Sequence, residues 1–422
     1  MKPLILILLF LLPSLPLSAQ GPQWIVYNTG NSGLPANYSR VITIDTNNGK
    51  WIGSNGLVKF YNNWTVYDTN NSGIHSNIVF TVECDRDNNI WTGSINSTPG
   101  GISKFDGVNW TNYTPQNSGI PSGAIVNIKF DSNENLWTTT GNGLGKFDGT
   151  NWTVYRDTNS GLPNNILTSL LIEDTIIWVG TQLHGIVKFD GINWTQFNTS
   201  NSMLPSNRSS VDAFDIDSEN VKWFGTLGGG VAKFDNVNWT IYNTSNSGLP
   251  NNYINSLYIE SKNKVWIGTD AGLALFENGI WSIFNSSNSP LPNNLVINMQ
   301  SDIYGNLWIC TPSGLVVYNE EGIVSVENIS HEFPSDIILY QNYPNPFNSS
   351  TVVKYDVKFR SNIKITLYDI TGKIISELVN EEHMPGHYGF SLDGNNLSSG
   401  IYLYSLYSDN LLVNTKKFLL IK

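Results

Sequence analysis

Apolar and polar residues alternate along most of this chain with period two, in short runs bounded by Gly, Asn, Asp and Pro. The runs YINSLYIE (253–260), VWIGT (265–269), LALF (273–276) and WSIF (281–284) follow one another with only turn residues between them. This is the pattern of short antiparallel strands, four to a unit, with no room for a helix. A longer period lies over it. All 14 Trp fall into seven pairs that recur about every 42 residues. The first members are Trp24, Trp64, Trp110, Trp152, Trp194, Trp239 and Trp281; the second are Trp51, Trp91, Trp137, Trp178, Trp223, Trp266 and Trp308. Four-stranded units of this length are propeller blades. The predicted fold is all-β: a seven-bladed β-propeller followed by a small β-sandwich domain. Adjacent blades cover each other's faces, so both Trp of a pair are expected in the core.

The ring has a readable closure. With strands lettered a to d from the channel outward, seven a-b-c triplets begin at Leu34, Ile74, Ile120, Leu162, Leu204, Leu249 and Leu291. Of the seven Trp-led d strands, the first (WIVYN, 24–28) precedes the first triplet. It is therefore free to complete the last blade and remove an exposed edge. IVSVEN (323–328) aligns with the WTVY strands but lacks Trp, and is read as an exit strand or a competitor for that place.

The unit N-S-G-L-P-x-N, then D-x-N-x-N-x-W-x-G-T, then G-x-x-K-F-D-G-x-N-W-T-x-Y resembles the two-component regulator propeller repeat, most clearly at 247–276 and also at 32–60 and 289–318. Blade three is weaker, with Gly123 at the Asn position and Thr138-Thr139-Thr140 at the W-x-G-T position. The resemblance spans about 21–320 and implies the fold. The family serves both as sensor domains and as parts of secreted proteins, so it implies no ligand.

Both ends differ from the repeat. Lys2, the apolar run Leu4–Leu12 and Leu-Ser-Ala before Gln20 read as a secretory signal ending at Ala19. No other apolar run is long enough to span a membrane, so no transmembrane segment is expected in the mature chain. The last eighty-odd residues lose Trp and the 42-residue period, and carry strand-like runs at TVVKYDV, IKITLYDI, KIISELV, YGFSL, GIYLYSLYS and KKFLLIK. Tyr343-Pro344-Asn345-Pro346-Phe347-Asn348, Leu367-Tyr368-Asp369 with Gly372, Ser399-Gly400-Ile401-Tyr402 and the strand 416–422 closely resemble the type IX secretion system (type A) C-terminal sorting domain. That resemblance implies a Bacteroidetes-type bacterium, the type IX secretion machinery as a partner, and release or attachment at the cell surface. The expected domains are a signal peptide at 1–19, the propeller at 20–328, a linker at 329–335 and the sorting sandwich at 336–422.

Composition narrows the partners. A formal charge of −11 with no Lys/Arg cluster argues against nucleic acid. Only 14% of residues are charged, with Asn, Ser, Thr and Gly in their place, which suits a neutral extracellular surface. Cys84 and Cys310 lie in different blades and read as two buried free thiols. No metal-binding Cys/His spacing occurs, and neither a metal nor a cofactor is expected.

Two repeated features read as architecture. An acid precedes each second Trp by six residues (Asp45, Asp85, Asp131, Asp217, Glu260, Asp302), or by five at Glu173, and is expected to cap the a-b turn. Asn-Ser opens every d-a loop, and Asn37, Asn77, Asn165, Asn207, Asn252 and Asn294 open strand a. These Asn either cap turns or form a polar collar for sugar hydroxyls. The d-a and b-c loops share one face of a propeller, here called the entrance face. Departures from the repeat gather there: Arg40, His75 in place of Pro, His184, Arg208, and a longer b-c loop at 94–101. Together they predict a mildly cationic mouth. No Ser-His-Asp or Cys-His set is readable, and Arg40, Arg156 and Arg208 are not equivalent positions, so a sialidase-like triad is absent. His184 leaves open a lyase chemistry of the His-Glu kind. The expected role is non-enzymatic binding of a glycan or peptide at the cell surface; the alternative is a propeller-type extracellular lyase or hydrolase.

Overall fold

The computed structural model describes residues 23–61, 63–95, 100–320, 322–323, 336–348, 350–358, 361–383, 386–394 and 397–422. The signal reading at 1–19, most of IVSVEN, the linker and the centre of the 94–101 loop lie outside them. The chain divides into two compact units. Strands account for the regular structure in both.

The first unit is the seven-bladed ring. Strands a are Val41–Ile44, Thr81–Cys84, Ile125–Phe130, Leu167–Glu173, Ser209–Ile216, Ile254–Ser261 and Asn298–Ser301, each hydrogen-bonded outward through b and c to d. In the seventh blade the outer strand is Trp24–Tyr27, antiparallel to Gly314–Tyr318 with Trp24 opposite Tyr318. The strand that the chain makes first thus closes the blade that it makes last. The junction has a second clasp: Ser39 donates its backbone N–H to the Thr311 carbonyl at 3.1 Å, and its Oγ donates to the Gly314 carbonyl at 3.1 Å.

The core lies between blades. One cluster joins Trp266, Leu273 and Leu275 of blade six to Met299, Ile309 and Val316 of blade seven. Another joins Trp137 and Leu144 of blade three to Leu170, Val179 and Phe189 of blade four. The second Trp of every pair is buried, from 0% to 4% exposed. The first members differ from expectation: they are half-buried. Each sits on the outermost strand, where one side faces solvent, and packs on the aromatic ring of strand c, a Phe in six blades and Tyr318 in the seventh, as Trp194 stacks on Phe189 at 4.1 Å. The loop Gly fits this stack. A Cβ at Gly248 would stand 2.3 Å from the Cβ of Trp281, so the N-S-G-L-P loop needs a residue without one.

Most of the buried Trp are held at two points. The repeat acid caps its turn as expected, Asp131 accepting the N–H groups of Asn133 and Asn135. It also accepts the indole N–H, at 2.8 Å for Asp85–Trp91, 2.9 Å for Asp131–Trp137 and Asp302–Trp308, and 3.0 Å for Glu173–Trp178 and Glu260–Trp266. The Lys of K-F-D covers the ring face, as Lys59 does on Trp51 at 4.9 Å and Lys233 on Trp223 at 5.1 Å. In blade five the indole N–H of Trp223 finds no partner among the described residues.

Two blades add an ion pair to their neighbour. Lys222, fully buried, reaches Glu173 of blade four at 2.5 Å and also donates to Asn236. Lys50 reaches Asp302 across the closure at 3.2 Å. Both lysines directly precede the second Trp, where the other blades carry Ile, Leu or Val.

The second unit is a sandwich. One sheet holds Ile338–Leu339, Ser350–Val357 and Gly386–Asp393. The other holds Ile374–His383, Ser361–Asp369, Gly400–Ser408 and Leu411–Leu420, paired in that order. Its core includes Phe347, Val353, Ile365, Tyr404, Leu406 and Phe418. It is a complete core built from its own strands.

Trp266→Ala is expected to lower stability by about 3–5 kcal/mol through cavity formation, read as a shift in the denaturant midpoint. Glu173→Ala is expected to cost about 3–5 kcal/mol because it leaves the Lys222 ammonium buried without its counter-charge, whereas Lys222→Met stays near neutral. Equal losses for the two would remove the charge argument.

Candidate functional site

Strand a is the inner edge of every blade, so seven edges face one narrow channel, and among them the strands of blades five and six meet in a parallel bridge at Asp212 and Ser256. Each edge leaves backbone groups without strand partners, and these need acceptors or donors from elsewhere. The chain supplies them from neighbouring blades. The Ile42 N–H donates to the Asn298 side chain at 3.0 Å, the Ile259 N–H to Asp215 at 2.7 Å, and the Ser169 hydroxyl to the Ser210 carbonyl.

A polar layer crosses the channel near the start of these strands. Arg40 of blade one extends to Asp212 of blade five and pairs with it at 2.7 Å, both side chains less than a tenth exposed. Asn127 of blade three donates to the other Asp212 oxygen at 3.1 Å and to the Val211 carbonyl at 3.3 Å. The Arg40 guanidinium also lies over the Phe80 ring at 4.2 Å. Asp212 reaches its partners because the strand of blade five bulges between Ser209 and Phe214. Cys310, buried beside this layer, has its thiol pushed up to about 12 by burial and stays protonated. Cys84 is only half-buried, in contrast to the expectation for both thiols.

Beyond this layer, toward the a-b turns, the channel widens into a chamber of 390 Å³ lined by strand a of all seven blades. One side chain per blade recurs at the same register, opposite the second Trp and two residues before the repeat acid. These are Glu83, Lys129, Leu171, Asp215, Tyr258 and Gln300, with Thr43 in the same place before Asp45. Seven blades present seven different residue types, all on the chamber wall. The acid two residues on is Asp or Glu in every blade. Glu83 and Lys129 pair at 2.5 Å. Burial works against the Lys129 ammonium, but Glu83 outweighs it and holds the group above its ordinary range. Asp215 is pushed up to about 6 by burial, although the backbone N–H groups of Ile259 and Ile216 and the charge of Lys129 pull the other way.

The residues expected on the entrance face are distributed differently. Asn37, Asn77, Asn165, Asn207, Asn252 and Asn294 each accept a backbone N–H from the loop eight residues earlier, at 2.8–2.9 Å. Their carboxamide oxygens are thus occupied by loop capping. Arg40 contributes no charge to the mouth because it is buried in the pair with Asp212. His75 is bonded at both ring nitrogens, to Ser103 at 2.6 Å and Ser94 at 2.9 Å, and burial lowers its pKa, so it is neutral at pH 7. The His184 Nδ1 is buried without a hydrogen-bond partner among the described residues. Arg208 remains exposed. It stands in a ring with Tyr38, Ile78, Ala124, Ile166, Tyr253 and Leu295, which hold the same place in the other blades, four of them 45–48% exposed. The mouth is an apolar rim with one cation in place of a cationic patch.

In the sandwich, the expected sorting motif is partly structural. Phe347 is in the core. Asn345 accepts the Leu419 N–H at 3.0 Å, and the Pro344 carbonyl accepts the Thr351 hydroxyl at 2.7 Å. Tyr343, Pro344, Pro346 and Asn348 are exposed, Tyr343 by 82%. Among the described residues no group of three His, Cys, Asp or Glu is placed to hold a metal ion, and no helix is long and apolar enough to cross a membrane.

Residues 341–422 match the secretion system C-terminal sorting domain, and residues 248–271 match the two component regulator propeller. The sorting domain marks the chain for export to the cell surface or secretion. No curated protein matches the chain. Among solved structures it is similar to the extracellular domain of BT3049, a proposed hybrid two component system of B. thetaiotaomicron, with 17% identity and a TM-score of 0.61 over 94% of this chain and 57% of that one. It is similar to PorZ, a surface component of the type-IX secretion system of Porphyromonas gingivalis, with 16% identity and a TM-score of 0.56 over 94% of this chain and 61% of that one. It thus spans less than two thirds of the length of either. Virginiamycin B lyase from Staphylococcus aureus is 16% identical, with a TM-score of 0.56 over 70% of this chain and 98% of that one. At these identities the likeness establishes the propeller fold alone.

Asp215 makes a pH prediction. Its folded value of about 6 lies above the ordinary 3.8, so the protonated form is favoured in the folded state. Its contribution is full below pH 4 and is lost as pH rises through 6. Asp215→Asn should therefore stabilise the propeller at pH 7.5 by up to about 2–3 kcal/mol more than at pH 4. The same difference at both pH values, measured by chemical denaturation, would contradict the raised pKa.

Proposed function

We propose that this is a non-catalytic, exported binding protein that takes a small polar ligand, or the end of a glycan or peptide chain, in the channel chamber. One observation carries the reading. The repeat holds every blade to an Asp or Glu and a buried Trp, and five of the seven to the strand-c Lys, yet at the register that lines the chamber the seven blades carry Thr, Glu, Lys, Leu, Asp, Tyr and Gln. A position released from the repeat in every blade at once, on the wall of one cavity, serves recognition. A volume of 390 Å³ is in the range of small-ligand sites. The layer of Arg40, Asp212 and Asn127 closes the chamber toward the entrance face, so a long chain would insert its end and not thread through.

The entrance-face set of Asn37, Arg40, His75, Asn77, Asn165, His184, Arg208, Asn252 and Asn294 is less favoured, because most of its polar groups are engaged by the fold. A lyase of the His-Glu kind is also less favoured: among the described residues neither His75 nor His184 contacts a carboxylate. The proposed architecture keeps the boundaries read from the sequence, with the signal peptide at 1–19, the propeller at 20–328, the linker at 329–335 and the sorting domain at 336–422 as the part that engages the secretion machinery.

Glycan and peptide arrays probed with the wild-type chain and with Gln300→Trp, which fills the chamber, test the site. Saturable binding lost in Gln300→Trp but kept in Arg208→Ala supports the chamber; the reverse returns the site to the entrance face. Product formation from any bound probe would replace the binding protein with an enzyme. Separately, a chain ending near Asn328 is expected to accumulate in the periplasm, and a foreign protein fused to 336–422 to reach the surface. Protease shaving of fractionated cells reads both. A truncated chain found outside the cell would remove the sorting role.

A further inference from the structure

We propose that the chamber selects a ligand bearing a primary ammonium, which docks on Asp215. This rests on the chamber being the binding site.

The charges facing the chamber cancel in pairs with one left over. Lys129 is engaged by Glu83 at 2.5 Å, and Arg40 by Asp212 at 2.7 Å. Asp215 accepts the N–H of Ile259 at 2.7 Å and of Ile216 at 2.8 Å, and among the described residues no cation lies within ion-pair distance. A half-buried carboxylate held only by backbone donors gains most from a ligand that brings a compact positive charge. The neighbouring positions fit that ligand. Tyr258 and Gln300 hold the same register as Asp215 in the next two blades, so three successive blades offer acceptor oxygens on one arc of the wall. An ammonium has three donors to distribute over such an arc. The opposite arc offers no competing acceptor of equal strength: Leu171 is apolar, and the carboxylate of Glu83 is already bound by Lys129. A divalent metal fits less well, since no group of three His, Cys, Asp or Glu converges among the described residues.

A primary ammonium could come from a peptide amino terminus or from an amino sugar, and the test separates them. Calorimetry on the full chain would use glycylglycine against N-acetylglycylglycine, and glucosamine against N-acetylglucosamine. In at least one pair the free amine is expected to bind at least tenfold more tightly, which is about 1.4 kcal/mol. Asp215→Asn should bring that pair within about twofold, and Gln300→Trp should abolish binding of both members. If Gln300→Trp lowers the melting temperature, Gln300→Lys replaces it. That variant sets a competing ammonium on the same chamber wall as Asp215 and should erase the preference. Equal binding within both pairs, still lost in the filled chamber, overturns the ammonium inference and leaves the chamber standing. A preference that survives Asp215→Asn places the ammonium elsewhere. Absence of chamber-dependent binding by any of the four probes overturns both readings.

Discussion

The buried second Trp of each blade is the constraint on which the ring depends. Its indole is large, and its N–H must find an acceptor when buried. The acid that caps the a-b turn is that acceptor in five blades, at 2.8–3.0 Å. One carboxylate therefore fixes the turn and the ring orientation together. In blades one to five the Lys of strand c then lies over the ring face. Blade four has a shorter turn and carries Glu173, whose extra methylene restores the reach. Blade five lacks the bond at Trp223. There the neighbouring Lys222 is tied to Glu173 of the preceding blade, and the interface is held by an ion pair.

A ring of blades leaves seven inner edges and one seam. The seam is closed by giving the last blade its outer strand from the start of the chain, so that closure is a sheet and not a packed joint. The inner edges pair with one another only at Asp212 and Ser256 among the described residues, so side chains from adjacent blades take N–H and C=O groups elsewhere. The polar layer around Asp212 belongs to this same solution. It satisfies the edges of the bulged strand in blade five and ties three blades together across the axis. The same layer borders the chamber, whose lining includes Asn127 and Asp212.

Much of the fold was legible because its causes are local and repeated. Period-two alternation, turn residues and the Trp spacing identify the strands, the blade count and the closing strand without reference to any contact. The sandwich was legible for the same reason, as six alternating runs between turn residues. The loop Asn were legible as a repeated feature but not as caps or ligand groups; in the structure their carboxamide oxygens cap the loops. The candidate site was less legible. His75 and Arg40 stood out as departures from the repeat, but both departures are absorbed internally, one by Ser103 and Ser94, the other by Asp212. The signal that could have found the chamber was present two residues before each repeat acid, where Thr, Glu, Lys, Leu, Asp, Tyr and Gln succeed one another.

By itself, then, the sequence determined what repeats: seven blades, four strands in each, a seam closed by the first strand, a separate sandwich and its address. These follow from hydrophobic periodicity and turn chemistry, which act over a few residues. Only the tertiary structure decided which departures meet. Arg40 and Asp212 are 172 residues apart in sequence and 2.7 Å apart in space. The seven chamber positions share a wall only once the ring is closed. Whether a charge is paired or left over depends on neighbours that sequence separation does not reveal. That is why Lys129 pairs with Glu83 while Asp215, among the described residues, has no cation at ion-pair distance.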